Sequence, residues 1–133
     1  MDKKGYMNKT ILIVDDDEKN RKLLKYILNN SGYNTLEVAD GESALAEVKK
    51  SLPALIFMDY RLPGIDGIAA SKLLKAEERT AKIPIIMVTA SAMGGDKERI
   101  LKESGCEAYI SKPINIHEVL EIVKKYIGLP KEE

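Results

Sequence analysis

Cysteine is nearly absent from this chain of 133 residues, with Cys106 standing alone. One thiol cannot close an intramolecular disulfide, and it cannot build a cysteine cluster for a metal. Long apolar runs are absent too. Stretches such as Ile11–Val14 and Ala54–Met58 fall far short of the roughly 20 residues of a membrane-spanning helix. No basic segment followed by an apolar one opens the chain, so nothing signals secretion. An excess of charge is missing as well: 21 Lys and Arg balance 21 Asp and Glu. That balance argues against nucleic-acid binding, which draws on a basic excess. There is no internal repeat, low-complexity tract or linker. These absences fit a cytoplasmic, reducing compartment, with no membrane and no nucleic acid as partner.

What remains is 44% apolar and 32% charged. A chain of this length reads as one domain and would bury roughly two thirds of the surface its unfolded form exposes. The polar ends, residues 1–8 and 129–133, are expected to be flexible around a body at residues 9–128.

Within that body two periodicities alternate. Ile11-Leu12-Ile13-Val14 is a β-branched run of the kind found in strands buried on both faces. Leu23, Leu24, Ile27 and Leu28 then recur at helical spacing, and Gly32 closes that segment. Thr35–Val38, Ala54–Met58, Pro84–Val88 and Ala108–Ile110 read as further strands. Between and after them lie helices capped by Asp40, Asp66 and Asn115, a charged helix over Gly95–Ser104, and a last helix stopped by Gly128. Strict strand–helix alternation with apolar strands predicts an α/β fold, a doubly wound parallel sheet of five strands with five helices. Ligands of such sheets sit at the carboxyl ends of the strands.

The residues at those ends carry the chemistry. Asp15, Asp16 and Asp17 follow the first strand, Asp59 the third, Thr89 the fourth, and Ser111-Lys112-Pro113 the fifth. Carboxylates converging in one cleft repel each other unless a cation joins them. All-oxygen ligands with room for water suit Mg²⁺, which also binds phosphoryl oxygens. Lys112 adds a point charge and Thr89 a hydroxyl donor, so the set suits a carboxylate that accepts a phosphoryl group. Spacing favours Asp59 as the acceptor and the aspartate pair as metal ligands, but only weakly.

Four segments resemble, in order and separation, the receiver domain of two-component response regulators: Ile11–Asp16, Met58–Gly67, Met87–Ala90 and Tyr109–Pro113. The resemblance covers about residues 9–128. Ala92-Met93 through Ile114 is similar to stand-alone receivers of the DivK kind. The resemblance implies a flavodoxin-like sheet of order 2-1-3-4-5. It implies that Asp59 takes a phosphoryl group from a histidine kinase or a histidine phosphotransfer protein. Asp16 and Asp59 would ligate Mg²⁺ by side chain, Arg61 by its carbonyl, and Asp15 through water. Lys112 would bind a phosphoryl oxygen, Thr89 would shift onto the acyl phosphate, and Tyr109 would turn inward. Lys112–Pro113 would be cis. Arg61 and Ser91 occupy positions thought to tune phosphate lifetime in the family. The output would be a phosphorelay or contact with a downstream protein, as a monomer or a phosphorylation-dependent dimer. Such a protein is a switch rather than an enzyme, turning over only its own aspartyl phosphate. The Met1–Lys9 leader reads as a native start, and the chain leaves no room for a DNA-binding domain.

Bland readings compete. Asp15–Glu18 alone is as well explained as a solvated charge run and helix cap. Tyr109 could be packing, His117 a surface residue, and Cys106 a half-buried apolar residue. Rival functions are a haloacid-dehalogenase-like phosphatase with Asp15 as nucleophile, a flavodoxin-type FMN binder, and a docking module without phosphorylation. The first lacks its late acidic pair after Lys112. The second would bring phosphate to four acids that repel it.

Overall fold

The computed structural model describes residues 9–90 and 96–130. Five strands alternate with five helices. In order they are β1 (Thr10–Val14), α1 (Glu18–Asn30), β2 (Asn34–Val38), α2 (Gly41–Ser51) and β3 (Leu55–Asp59). They continue as α3 (Gly67–Ala76), β4 (Ile85–Thr89), α4 (Asp96–Ser104), β5 (Ala108–Ser111) and α5 (Ile116–Ile127). All neighbouring strands pair in parallel, in the order β2-β1-β3-β4-β5.

Side chains of a strand alternate between faces, so an unbroken apolar strand feeds two cores at once. Leu12, Val14, Ile56, Met58, Ile85 and Met87 face one way and meet α2, α3 and α4 through Ala44, Val48, Ile68, Ala70, Leu74 and Ile100. Ile11, Ile13, Leu55, Phe57, Ile86 and Val88 face the other way. They meet α1 and α5 through Leu24, Ile27, Leu28, Val119 and Val123. The sheet is thus covered on both sides, as the sequence predicts.

Helix starts follow the cap residues. The side chains of Asp40, Asp66 and Asn115 accept backbone N–H groups of Ser43, Ala69 and Glu118. Asp17 does the same for α1 through Lys19, so one member of the acidic run is a cap. Gly105, at φ +74°, ends α4 in the left-handed region.

Some expectations shift. Leu23, read as part of the apolar stripe of its helix, is 41% exposed. The buried stripe of α1 is the narrower set Leu24, Ile27 and Leu28. Cys106 is buried rather than half-buried. The first residue of α4 is Asp96; Gly95, Ala92, Met93 and Ser91 lie outside the described residues. A turn at residues 77–83 joins α3 to β4, where the sequence marked no element. Buried Thr80 ties it down by donating its hydroxyl to Leu74 O at 2.5 Å.

Candidate functional site

From β1 the chain reaches β2 on one side and, later, β3 on the other. The carboxyl ends of β1 and β3 therefore flank the point where the winding reverses, the usual place for a ligand crevice in such a sheet. Asp15 and Asp16 leave β1 there, and Asp59 is the last residue of β3. Asp15 and Asp59 are 2% and 4% exposed, while Asp16 is open to solvent. One carboxylate oxygen from each of the three lies within 4.8 Å of the others.

Neighbouring groups hold these carboxylates in place. Asp15 Oδ1 accepts the N–H of Asp17 at 2.9 Å. Lys112, just past β5, places Nζ 3.4 Å from Asp59 and 3.6 Å from Asp15. Its backbone N–H donates to Thr89 O at 2.9 Å, so the ends of β4 and β5 are stitched beside the carboxylates. The Lys112–Pro113 peptide is cis. Thr89 is buried at the end of β4. Behind Asp59 the chain turns back sharply, with Gly67 N–H donating to Tyr60 O at 2.8 Å. A Cβ at Gly67 would collide with the Asp59 carbonyl, so glycine is required there.

Among the described residues, the Lys112 ammonium stands against Asp15 and Asp59, with the Asp16 carboxylate beside them. Burial first, and then the Asp15 charge, push the Asp59 carboxyl from 3.8 up to about 6, with Lys112 pulling the other way. A hard divalent cation would relieve that repulsion. The donor set, two buried carboxylate side chains and one exposed, with open solvent beside them, fits Mg²⁺ in its usual coordination by few carboxylates and several waters.

Of the site residues predicted from the sequence, Ser91 lies outside the described residues; among the others, Asp15, Asp16, Asp59 and Lys112 converge. Arg61 is exposed, its guanidinium carbon 5.7 Å from the Tyr60 ring centre. Tyr109 is half-buried on β5 with the Lys97 ammonium 5.2 Å from its ring centre. The sequence reading passed over three neighbours. Arg99 of α4 donates to the Tyr60 hydroxyl at 3.0 Å, Lys97 covers Tyr109, and Arg21 of α1 donates to Asp15 O at 2.8 Å. No spacing rule marks these, because each is a helix surface cation whose partner is distant in the chain or on the main chain.

The chain matches the response regulator receiver domain family over residues 11–124. It is 45% identical over 122 residues to the polar-differentiation response regulator DivK of Brucella ovis, a match that covers 92% of this chain and 98% of that relative. It also superimposes on the receiver domain of a sensor histidine kinase of Pseudomonas aeruginosa, solved with a magnesium ion coordinated in its active-site cleft. There the TM-score is 0.84 at 34% identity, covering 92% of this chain and 99% of the other. A chemotaxis protein of Vibrio cholerae matches at TM-score 0.84 and 26% identity, covering 91% and 100%. With its sheet order, its acidic crevice and these likenesses, the chain belongs to the receiver domain family of two-component response regulators.

Proposed function

We propose that residues 9–128 form a receiver whose Asp59 is phosphorylated by a histidine kinase or a histidine phosphotransfer protein. The observation that carries this reading is the convergence of Asp15, Asp16 and Asp59 on one crevice, with the Lys112 ammonium between the two buried carboxylates. Bound Mg²⁺ would neutralise carboxylate and phosphoryl oxygens, held by Asp16 and Asp59 directly, by the Arg61 carbonyl, and by Asp15 through water. An Asp59 oxygen attacks phosphorus as the bond to the donor histidine breaks. Lys112 holds a phosphoryl oxygen, and burial keeps bulk water off the acyl phosphate.

Thr89 and Tyr109 carry the change outward. The Thr89 hydroxyl moves to the new phosphoryl group, and Tyr109 leaves Lys97 to turn inward. A local charge change thereby biases the surface formed by α4, β5 and α5. The output is a relay step or contact with a downstream protein in the cytoplasm, by a monomer or a phosphorylation-dependent dimer. The only turnover is of the protein's own aspartyl phosphate. Asp15 is a poorer acceptor, because one of its carboxylate oxygens already accepts the Asp17 N–H; this speaks against the phosphatase rival.

The test is intact mass after incubation with Mg²⁺ and acetyl phosphate. The chain should gain one phosphate, and Asp59→Ala should gain none. Labelling that survives in Asp59→Ala, or that proceeds equally in EDTA, would refute the assignment.

A further inference from the structure

We infer that Arg21 is a positioning residue of this crevice, fixing the backbone that aims the Asp16 carboxylate. The inference rests on the proposed reading of Asp16 as a Mg²⁺ ligand.

Asp16 is exposed and at the end of a strand, so packing does not set its direction. Its two flanking peptides do. On the far side, the Asp17 N–H is held by Asp15 Oδ1 at 2.9 Å. On the near side, the Asp15 carbonyl accepts Arg21 Nη1 at 2.8 Å. Arg21 is itself anchored: its Nε donates to Glu37 Oε1 on β2 at 3.2 Å, and the other Glu37 oxygen pairs with Lys25 at 3.3 Å. The Arg21 side chain is only 19% exposed. A planar guanidinium bridges two acceptors in fixed directions, which a lysine ammonium does less well. The result is a brace from α1 to β2 that locks the Asp15–Asp16 peptide. Groups that orient metal ligands from behind are often as consequential as the ligands themselves.

Charge and positioning predict opposite signs. A guanidinium near the crevice repels a divalent cation, so if charge were all that mattered, removing it would tighten Mg²⁺ binding. If Arg21 positions Asp16, removing it weakens binding.

The experiment titrates the full chain with Mg²⁺ alone by calorimetry, comparing wild type with Arg21→Met, Arg21→Lys and Glu37→Gln. Arg21→Met should weaken binding ~10-fold, and Arg21→Lys and Glu37→Gln by ~2–5-fold. In metal-free protein, amide hydrogen exchange at Asp16 and Asp17 should quicken in Arg21→Met ahead of the β1 amides, which a general loss of stability would not produce. Binding unchanged or tighter in a folded Arg21→Met would overturn the inference. Should that variant fail to fold, unchanged affinity in both Arg21→Lys and Glu37→Gln would do the same. A wild type that takes no Mg²⁺, or an Asp16→Asn variant that binds as well as wild type, overturns the metal reading along with it. Bound Mg²⁺ with indifferent Arg21 variants overturns this inference alone.

Discussion

Asp59→Asn should make the metal-free protein more stable, not less, and the size of the gain follows from the crevice. Asp59 is 4% exposed, with Asp15 beside it and, among the described residues, Lys112 at 3.4 Å as the one cation to offset them. Its carboxyl therefore holds its proton up to about 6 instead of 3.8. In that window the folded chain keeps a proton that the unfolded chain has released, so stability falls as pH rises through it. Above about pH 6 the full penalty is present, and below about 3.8 it is absent. At about 1.4 kcal/mol per tenfold change in proton affinity, it comes to ~3 kcal/mol. Asparagine has nearly the same shape, carries no charge and can donate its amide to Asp15. For a chain of this size each kcal/mol moves Tm by about 3–5 °C, so the variant should melt ~10 °C higher at pH 8 in EDTA. The gap should shrink as pH falls toward 4, and it should narrow at pH 8 when Mg²⁺ is added, since the cation relieves the same repulsion in wild type. Thermal unfolding by circular dichroism from pH 4 to 8, with and without Mg²⁺, reads all three. A variant no more stable than wild type at pH 8 in EDTA, or a gap that does not change with pH, would refute the electrostatic account.

Lys112→Met should slow phosphorylation by small phosphodonors ~100-fold and move the Asp59 carboxyl still further above about 6, because the one group lowering it is gone. Carbon-13 titration of the Asp59 carboxyl checks the shift, and an unmoved value would contradict the geometry. Lys75 donates to Ala81 O, Ile83 O and Glu107, whose other oxygen takes the Ile85 N–H. Lys75→Met should therefore cost ~2 kcal/mol by leaving carbonyls short of a donor, seen in urea unfolding, with Mg²⁺ affinity unchanged. Lys97→Ala removes the cation over Tyr109, worth ~0.5–1 kcal/mol. It should tighten binding of beryllofluoride by ~2–5-fold if Tyr109 must leave that cation to turn inward; equal affinity would exclude Lys97 as a latch.

Much of this site was legible in the residues because its parts stand at element ends. A strand buried on both faces must be apolar throughout, so Asp15 after Ile11–Val14 and Asp59 after Leu55–Met58 mark where each strand stops. Cap residues are similarly visible, since Asp40, Asp66 and Asn115 satisfy N–H groups within three residues of themselves. Leu23 misled for the opposite reason. Helical spacing reports a stripe, but only the partner surface decides how wide a stripe is covered.

By itself, then, the sequence determined the alternation of elements, the parallel sheet between two helix layers, and the group of residue types gathered at the carboxyl edge. Those depend on periodicity and on local hydrogen bonding, which are written along the chain. Only the tertiary structure decided that Lys112 stands between Asp15 and Asp59, that burial and mutual repulsion lift the Asp59 carboxyl, and that Arg21 reaches back to the Asp15 carbonyl. Those facts depend on distances between residues far apart in the chain and on main-chain atoms that every residue shares, and no pattern of side-chain letters records either.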